Sequence, residues 1–205
     1  MIAQIVVAAA VLTLGVTGPA SGQTHATVVR GANGMSHAHP YPDTPPLPAL
    51  RTNADATAAQ AAEQQAIDAL IGQVYVAISG LAGPRDWDAF KALFVPEARL
   101  VPVGGKGPLV LDVQGYIDRA GPMMAREGFY ESEVSRRVER YGNIAHVWST
   151  YESRHAPGGQ PFARGINSIQ IVKTPAGWRV LHIVWQGETP TLPIPGAYLP
   201  KTDKR

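Results

Sequence analysis

Residues 142–188 constrain this chain most. Three runs rich in β-branched and aromatic residues, 143–153, 165–173 and 178–186, follow one another. His155-Ala156-Pro157-Gly158-Gly159 divides the first two, and Thr174-Pro175-Ala176-Gly177 divides the second pair. Glycine and proline at these junctions turn the chain back on itself, so the runs read as consecutive antiparallel strands. A sheet of this kind needs one face covered, and the cover has to come from upstream.

Upstream, the clearest periodicity is Ile67, Leu70, Ile71, Val74, Tyr75, Ile78 and Leu81, spaced as one face of a helix. Gly80, Gly83 and Pro84 end it. Asp86 is placed to cap a short second helix on which Trp87, Phe90, Leu93 and Phe94 share a face, with Pro96 as its stop. Residues 98–103 read as a strand and Gly104-Gly105-Lys106-Gly107 as its turn. Asp112 then caps a third helix carrying Val113, Tyr116 and Ile117, limited by Gly121-Pro122. Residues 129–141 are dominated by Glu131, Glu133, Arg136, Arg137, Glu139 and Arg140. They read as a strand with a wet face, because Gly142-Asn143 turns directly into the next strand. Glu131 and Glu133 are expected to form surface ion pairs of small net worth. Helices first and strands afterwards give an α+β architecture.

The ends have a different character. Met1 to Gly18 has no charged side chain, and Ala20-Ser21-Gly22 follows, so residues 1–22 read as a secretory signal with cleavage before Gln23. The n-region lacks Lys and Arg, which is atypical, and the apolar run is shorter than the ~20 residues of a spanning helix. A periplasmic or secreted location without stable membrane insertion is expected. Residues 23–56, with Pro40, Pro42, Pro45, Pro46 and Pro48 close together, read as a solvated linker in which His37 and His39 are too few to hold a metal. Residues 191–205 form a Pro-rich tail, which leaves 57–190 as the folded domain. The net charge of +2, from 18 basic and 16 acidic residues, gives no basic stripe, so nucleic acid is not an expected partner. No cysteine is present, which excludes disulfides, zinc thiolates and a thiol nucleophile.

The segment pattern resembles the NTF2-like superfamily, the cone-shaped fold of ketosteroid isomerases, scytalone dehydratase and SnoaL-like proteins. The resemblance rests on the 67–81 helix, on Asp86-Trp87-Asp88-Ala89-Phe90 with Leu93-Phe94-Val95-Pro96-Glu97-Ala98-Arg99-Leu100, and on Gly142-Asn143-Ile144-Ala145-His146-Val147. Arg164-Gly165-Ile166-Asn167-Ser168 and Trp178-Arg179-Val180-Leu181-His182 complete it. It implies a curved antiparallel sheet wrapped around three N-terminal helices, with a blind pocket in the cone. Such a fold hosts enzymes, binding modules and dimerisation domains alike. By analogy the pocket face is expected to carry His146, Trp148 and Thr150, then Asn167, Ile169 and Ile171, then Leu181, Ile183 and Trp185.

In that pocket Trp148, Asn167, Trp185, Ile169 and Ile183 are the expected ligand-binding residues for a small, largely apolar molecule. Tyr75 is either a hydroxyl donor to a developing oxyanion or a core residue of its helix. His146 is either a general base or a structural histidine. Ketosteroid isomerase-like members carry a carboxylate base on the first strand. Here Val101-Pro102-Val103 stand there, which removes the central group of an isomerase of that type; Glu131 or Glu133 is the candidate substitute, against their expected role in surface ion pairs. No phosphate loop, nucleophile elbow or His-Glu-x-x-His motif occurs, and neither cofactor nor metal is expected. Arg164 is placed to pair with Glu152 or Glu188, and Gly165 to mark a bulge or a close approach. The expected function is therefore ligand binding, with a cofactor-free lyase or isomerase activity open. The alternative is a homodimerisation domain with a filled cavity, assembling through Ile166, Val180 and Val184.

Overall fold

The structure is a computed structural model and describes residues 53–201. The expected signal segment, most of the linker, His37 and His39 lie outside the described residues. Helix α1 (Asn53–Ile78) is followed by α2 (Trp87–Lys91), β1 (Phe94–Gly104), β2 (Gly107–Pro108) and α3 (Val113–Arg126). The strands β3 (Tyr130–Tyr141), β4 (Ile144–Arg154), β5 (Ala163–Thr174) and β6 (Gly177–Gly187) come next. No helix among the described residues is long and apolar enough to cross a membrane.

The six strands form one sheet in the order β2-β1-β6-β5-β4-β3. β3 to β6 are an antiparallel meander, as the turn residues require. β1 lies parallel to β6, so the sheet is mixed rather than purely antiparallel. Chain direction is the reason: α3 carries the chain from β1 across to the far edge, and three hairpins bring it back beside β1. Curvature is legible in the reach of α1. Its Asp68 pairs with Arg136 on β3, Tyr75 bonds to Ser149 on β4 and Asn167 on β5, and Glu63 meets Trp178 on β6. The helix thus lies across four adjacent strands, along the concave side of a curved sheet.

The apolar stripe of α1 accounts for much of the core: Ile67, Leu70, Ile71, Val74, Tyr75 and Ile78 are all buried. Leu81 is not, being 77% exposed, because the helix ends at Ile78 and Gly80 turns away to pair with Phe129. Asp86 and Asp112 cap α2 and α3 by accepting from Ala89 N and Gly115 N at 2.9 and 2.7 Å. Two expected stops fall elsewhere. Pro96 lies inside β1, where the register with β6 is interrupted between Phe94 and Arg99 and no ladder donor is needed. Pro122 lies inside α3, which continues to Arg126 because Met124 beyond it is buried in the core. α1 also begins at Asn53, four residues inside the span expected as linker.

The segment after β6 is seated on the outer face of the sheet. Thr150 Oγ1 donates to Tyr198 O at 2.6 Å, the Tyr198 ring meets Trp148 edge-on, and Ile194 is buried.

Candidate functional site

Between α1, α2, α3 and the inner face of the sheet lies a cavity of about 110 Å³. That is several times the ~10–15 Å³ needed to hold one water. Its wall is aromatic and aliphatic, from Phe90, Leu100, Phe129, Phe162, Ile183 and Trp185 among others. Six polar side chains interrupt it: Tyr75, Tyr116, Glu131, Tyr151, Ser153 and Asn167. Arg164 and Glu188, both partly exposed, stand on the solvent side.

Register decides which residues reach this space. On β5, Asn167 and Ile169 line it, and on β6 Ile183 and Trp185 do. Asn167 pairs with Trp185 on one side and with Ser149 on the other. The inner face of β4 is therefore Ala145, Val147, Ser149, Tyr151 and Ser153, one residue out of step with the expectation. His146 and Trp148 are corrected accordingly. They lie on the outer face, where His146 Nε2 is 3.0 Å from Ser168 Oγ and its ring meets Trp148 edge-on at 4.7 Å. The physical reason is the long connection between β4 and β5, which sets no register of its own, and a one-residue slip inverts a strand. On β6 a bulge at Leu181 turns Val180 inward to full burial, so Val180 belongs to the core and not to an outer patch. Tyr75, Asn167, Ile169, Ile183 and Trp185 thus come together at the cavity, and His146 and Trp148 do not.

Glu131 departs furthest from what its sequence context suggests. It makes no ion pair among the described residues and lines the cavity, where its Oε2 accepts from Ser153 Oγ at 2.8 Å. The residue as a whole is partly exposed, since it borders a shallower groove beside Tyr130 and Ser132 as well as the cavity. Burial without a cationic partner pushes its carboxyl up to about 7, against the smaller opposing effect of Ser153. Glu133 follows a different course: Arg136 donates to both of its oxygens, from Nε at 3.0 and 2.8 Å, and Ser149 donates to Oε1. A bulge between Glu133 and Ser135 on β3 explains how Glu131, Glu133, Arg136 and Val138 all share the inner face. The available signal is Phe129, an apolar residue two before Glu131 and hence on the same side of the strand.

Desolvation raises Tyr75, Tyr116 and Tyr151 well above the ordinary phenol range, with the Glu131 charge adding to each. All three remain neutral phenols at working pH. Tyr75 Oη lies 2.6 Å from Ser149 Oγ and accepts from Asn167 Nδ2 at 3.0 Å. The hydroxyls of Tyr116 and Tyr151 have no hydrogen-bond partner among the described residues, although both side chains are at least nine-tenths buried. Arg164 sits between Glu152 and Glu188, at 3.3 and 3.4 Å. Gly165 is a close approach: a Cβ there would stand 2.5 Å from both Gln186 O and Tyr151 Oη. β1 offers the cavity Leu100 and no carboxylate, so the acid group of this site arrives from β3 instead.

No family model matches the chain, and no curated protein sequence matches it. Solved structures do. An NTF2-like protein with a cystatin-like fold from Novosphingobium aromaticivorans is 21% identical, with a TM-score of 0.56 over 73% of this chain and 95% of that one. A protein of unknown function with a cystatin-like fold from Nostoc punctiforme is 12% identical, with a TM-score of 0.51 over 63% and 93%. An NTF2-like superfamily protein from Salmonella enterica is 21% identical, with a TM-score of 0.50 over 64% and 95%. At these identities the likeness speaks for architecture alone: the chain has the NTF2-like, or cystatin-like, fold.

Proposed function

We propose that the chain binds a small, largely apolar molecule in this cavity and exchanges a proton with it through Glu131, as a cofactor-free lyase or isomerase. The observation that carries the reading is the Glu131 carboxyl set in an aromatic wall with Ser153 as its side-chain partner and no cation beside it among the described residues, a burial that pushes its pKa up to about 7. A group with that pKa is divided between acid and base at neutral pH, the condition under which general acid–base catalysis works best. The unpartnered hydroxyls of Tyr116 and Tyr151 supply donors for an oxygen that gains charge as the proton leaves. Being neutral, they stabilise it without a cation or a cofactor. Phe90, Phe129, Phe162 and Trp185 hold the apolar body and keep water from the reacting atoms.

The test uses 1-tetralone, a bicyclic ketone, in deuterated buffer. Wild-type protein should bind it saturably and speed deuterium uptake beside the carbonyl. Glu131→Gln should retain binding and lose at least ~100-fold of the exchange rate, the usual contribution of a positioned general base. Exchange that is unchanged in Glu131→Gln, or absence of binding to the wild type, contradicts the proposal.

A further inference from the structure

The cavity is joined to the surface by a directed chain of hydrogen bonds. At the surface end, Glu133 is held by Arg136, which also pairs with Asp68. A carboxylate gripped by a guanidinium is an acceptor only. Ser149, fully buried, gives its single proton to Glu133 Oε1. Its oxygen is then left to accept, and the group 2.6 Å away is Tyr75 Oη, whose one proton must point to Ser149. Tyr75 in turn accepts from Asn167, which fixes Nδ2 rather than Oδ1 against the phenol. Each hydrogen bond along Asn167, Tyr75, Ser149 and Glu133 therefore runs away from the cavity, with Glu133 as the final acceptor. The direction is imposed by the Glu133 charge at the far end.

We infer that this chain makes the Asn167–Tyr75 wall of the cavity a hydrogen-bond acceptor, so that the ligand it selects carries a hydroxyl or N–H at that point. Asn167 Oδ1 has no partner among the described residues, and Asn167 lines the cavity. The oxyanion-donor role open to Tyr75 from the sequence is closed to it while Ser149 holds its proton. Donors to a ligand oxygen come instead from Tyr116 and Tyr151. Ser149 and Glu133 are positioning residues in this scheme: neither lines the cavity, and both act through Tyr75. The inference rests on the proposed binding role of the cavity and adds to it the class of ligand, a hydroxylated apolar molecule.

A matched pair of probes tests it by titration calorimetry on the full chain: 4-ethylphenol, which can donate, and 4-ethylanisole, its methyl ether, which can only accept. Wild-type protein should bind the phenol ~10-fold or more tighter than the ether, the effect of one buried hydrogen bond lost. Ser149→Ala releases the Tyr75 proton to turn towards the cavity, and the preference should fall to about 3-fold or less. Glu133→Gln, whose amide can donate to Ser149 and reverse the chain, should weaken it likewise and decides the matter should Ser149→Ala fail to fold. A merely structural role for either residue would lower both affinities together and leave their ratio unchanged. Equal binding of the two probes by the wild type, or an unchanged ratio in a folded variant, overturns the inference alone. Binding of neither probe to the wild type overturns the cavity's binding role, and the inference with it.

Discussion

Among single residues Glu131 matters most, and its raised pKa has a consequence for stability. The unfolded chain gives up this proton near 4.5, whereas the folded protein holds it to about 7. Between those values the native state binds more protons than the unfolded state, so stability falls as pH rises through the window. The loss is complete above about 7 and amounts to no more than about 3.5 kcal/mol, since each tenfold gain in proton affinity is worth ~1.4 kcal/mol. Glu131→Gln removes that dependence. Thermal melts of wild type and variant should therefore diverge between pH 4.5 and 7, the wild type losing about 5–10 °C relative to the variant. Parallel melting curves across that range would mean that the carboxyl is solvated like any other. Glu131 is hidden in the sequence because five other charges share its strand, and composition alone makes all of them look wet. What sets it apart is a bulge and a deep neighbour, Ser153, neither of which composition reveals.

Among the elements, each helix or strand contributes one requirement of the site. α1 brings Tyr75, α3 brings Tyr116, and β3 to β6 bring Glu131, Tyr151, Asn167 and Trp185. α3 is the least secured by its own sequence, with Pro122 inside it, so its N-cap matters more than usual. Asp112→Ala removes the acceptor for Gly115 N and should cost about 1 kcal/mol of global stability in urea melts. Tyr116 lies one turn from that cap, so the variant should also weaken 1-tetralone binding; unaltered stability would show that the helix end is held by packing alone. The elements themselves are legible because helical stripes and strand runs leave periodic traces, as Ile67 through Ile78 do. Facing is less so. Alternation puts Asn167 and Trp185 on the inner face correctly but misplaces Trp148, because the β4–β5 connection carries no tight turn to lock the pairing. Leu181 and Val180 exchange places for a related reason: a single extra residue in β6 resets the alternation.

The molecule taken whole divides the two faces of one sheet between different tasks. The inner face curves over α1 and leaves a space, while the outer face receives residues 192–198, which lie over Trp148 and Ile166. This division is readable from sequence only in part. Order and kind of elements point to α+β and the NTF2-like fold, but the parallel placement of β1 beside β6 depends on how the whole chain closes, which no local window contains. All of this architecture converges on a cavity lined by Glu131, whose carboxyl is poised near neutrality by its burial. Following the Glu131 side-chain carbon through a pH titration by NMR, assigned with Glu131→Gln, measures that poise. A midpoint of about 7 is expected. A midpoint near the ordinary glutamate value of ~4.3 would contradict it.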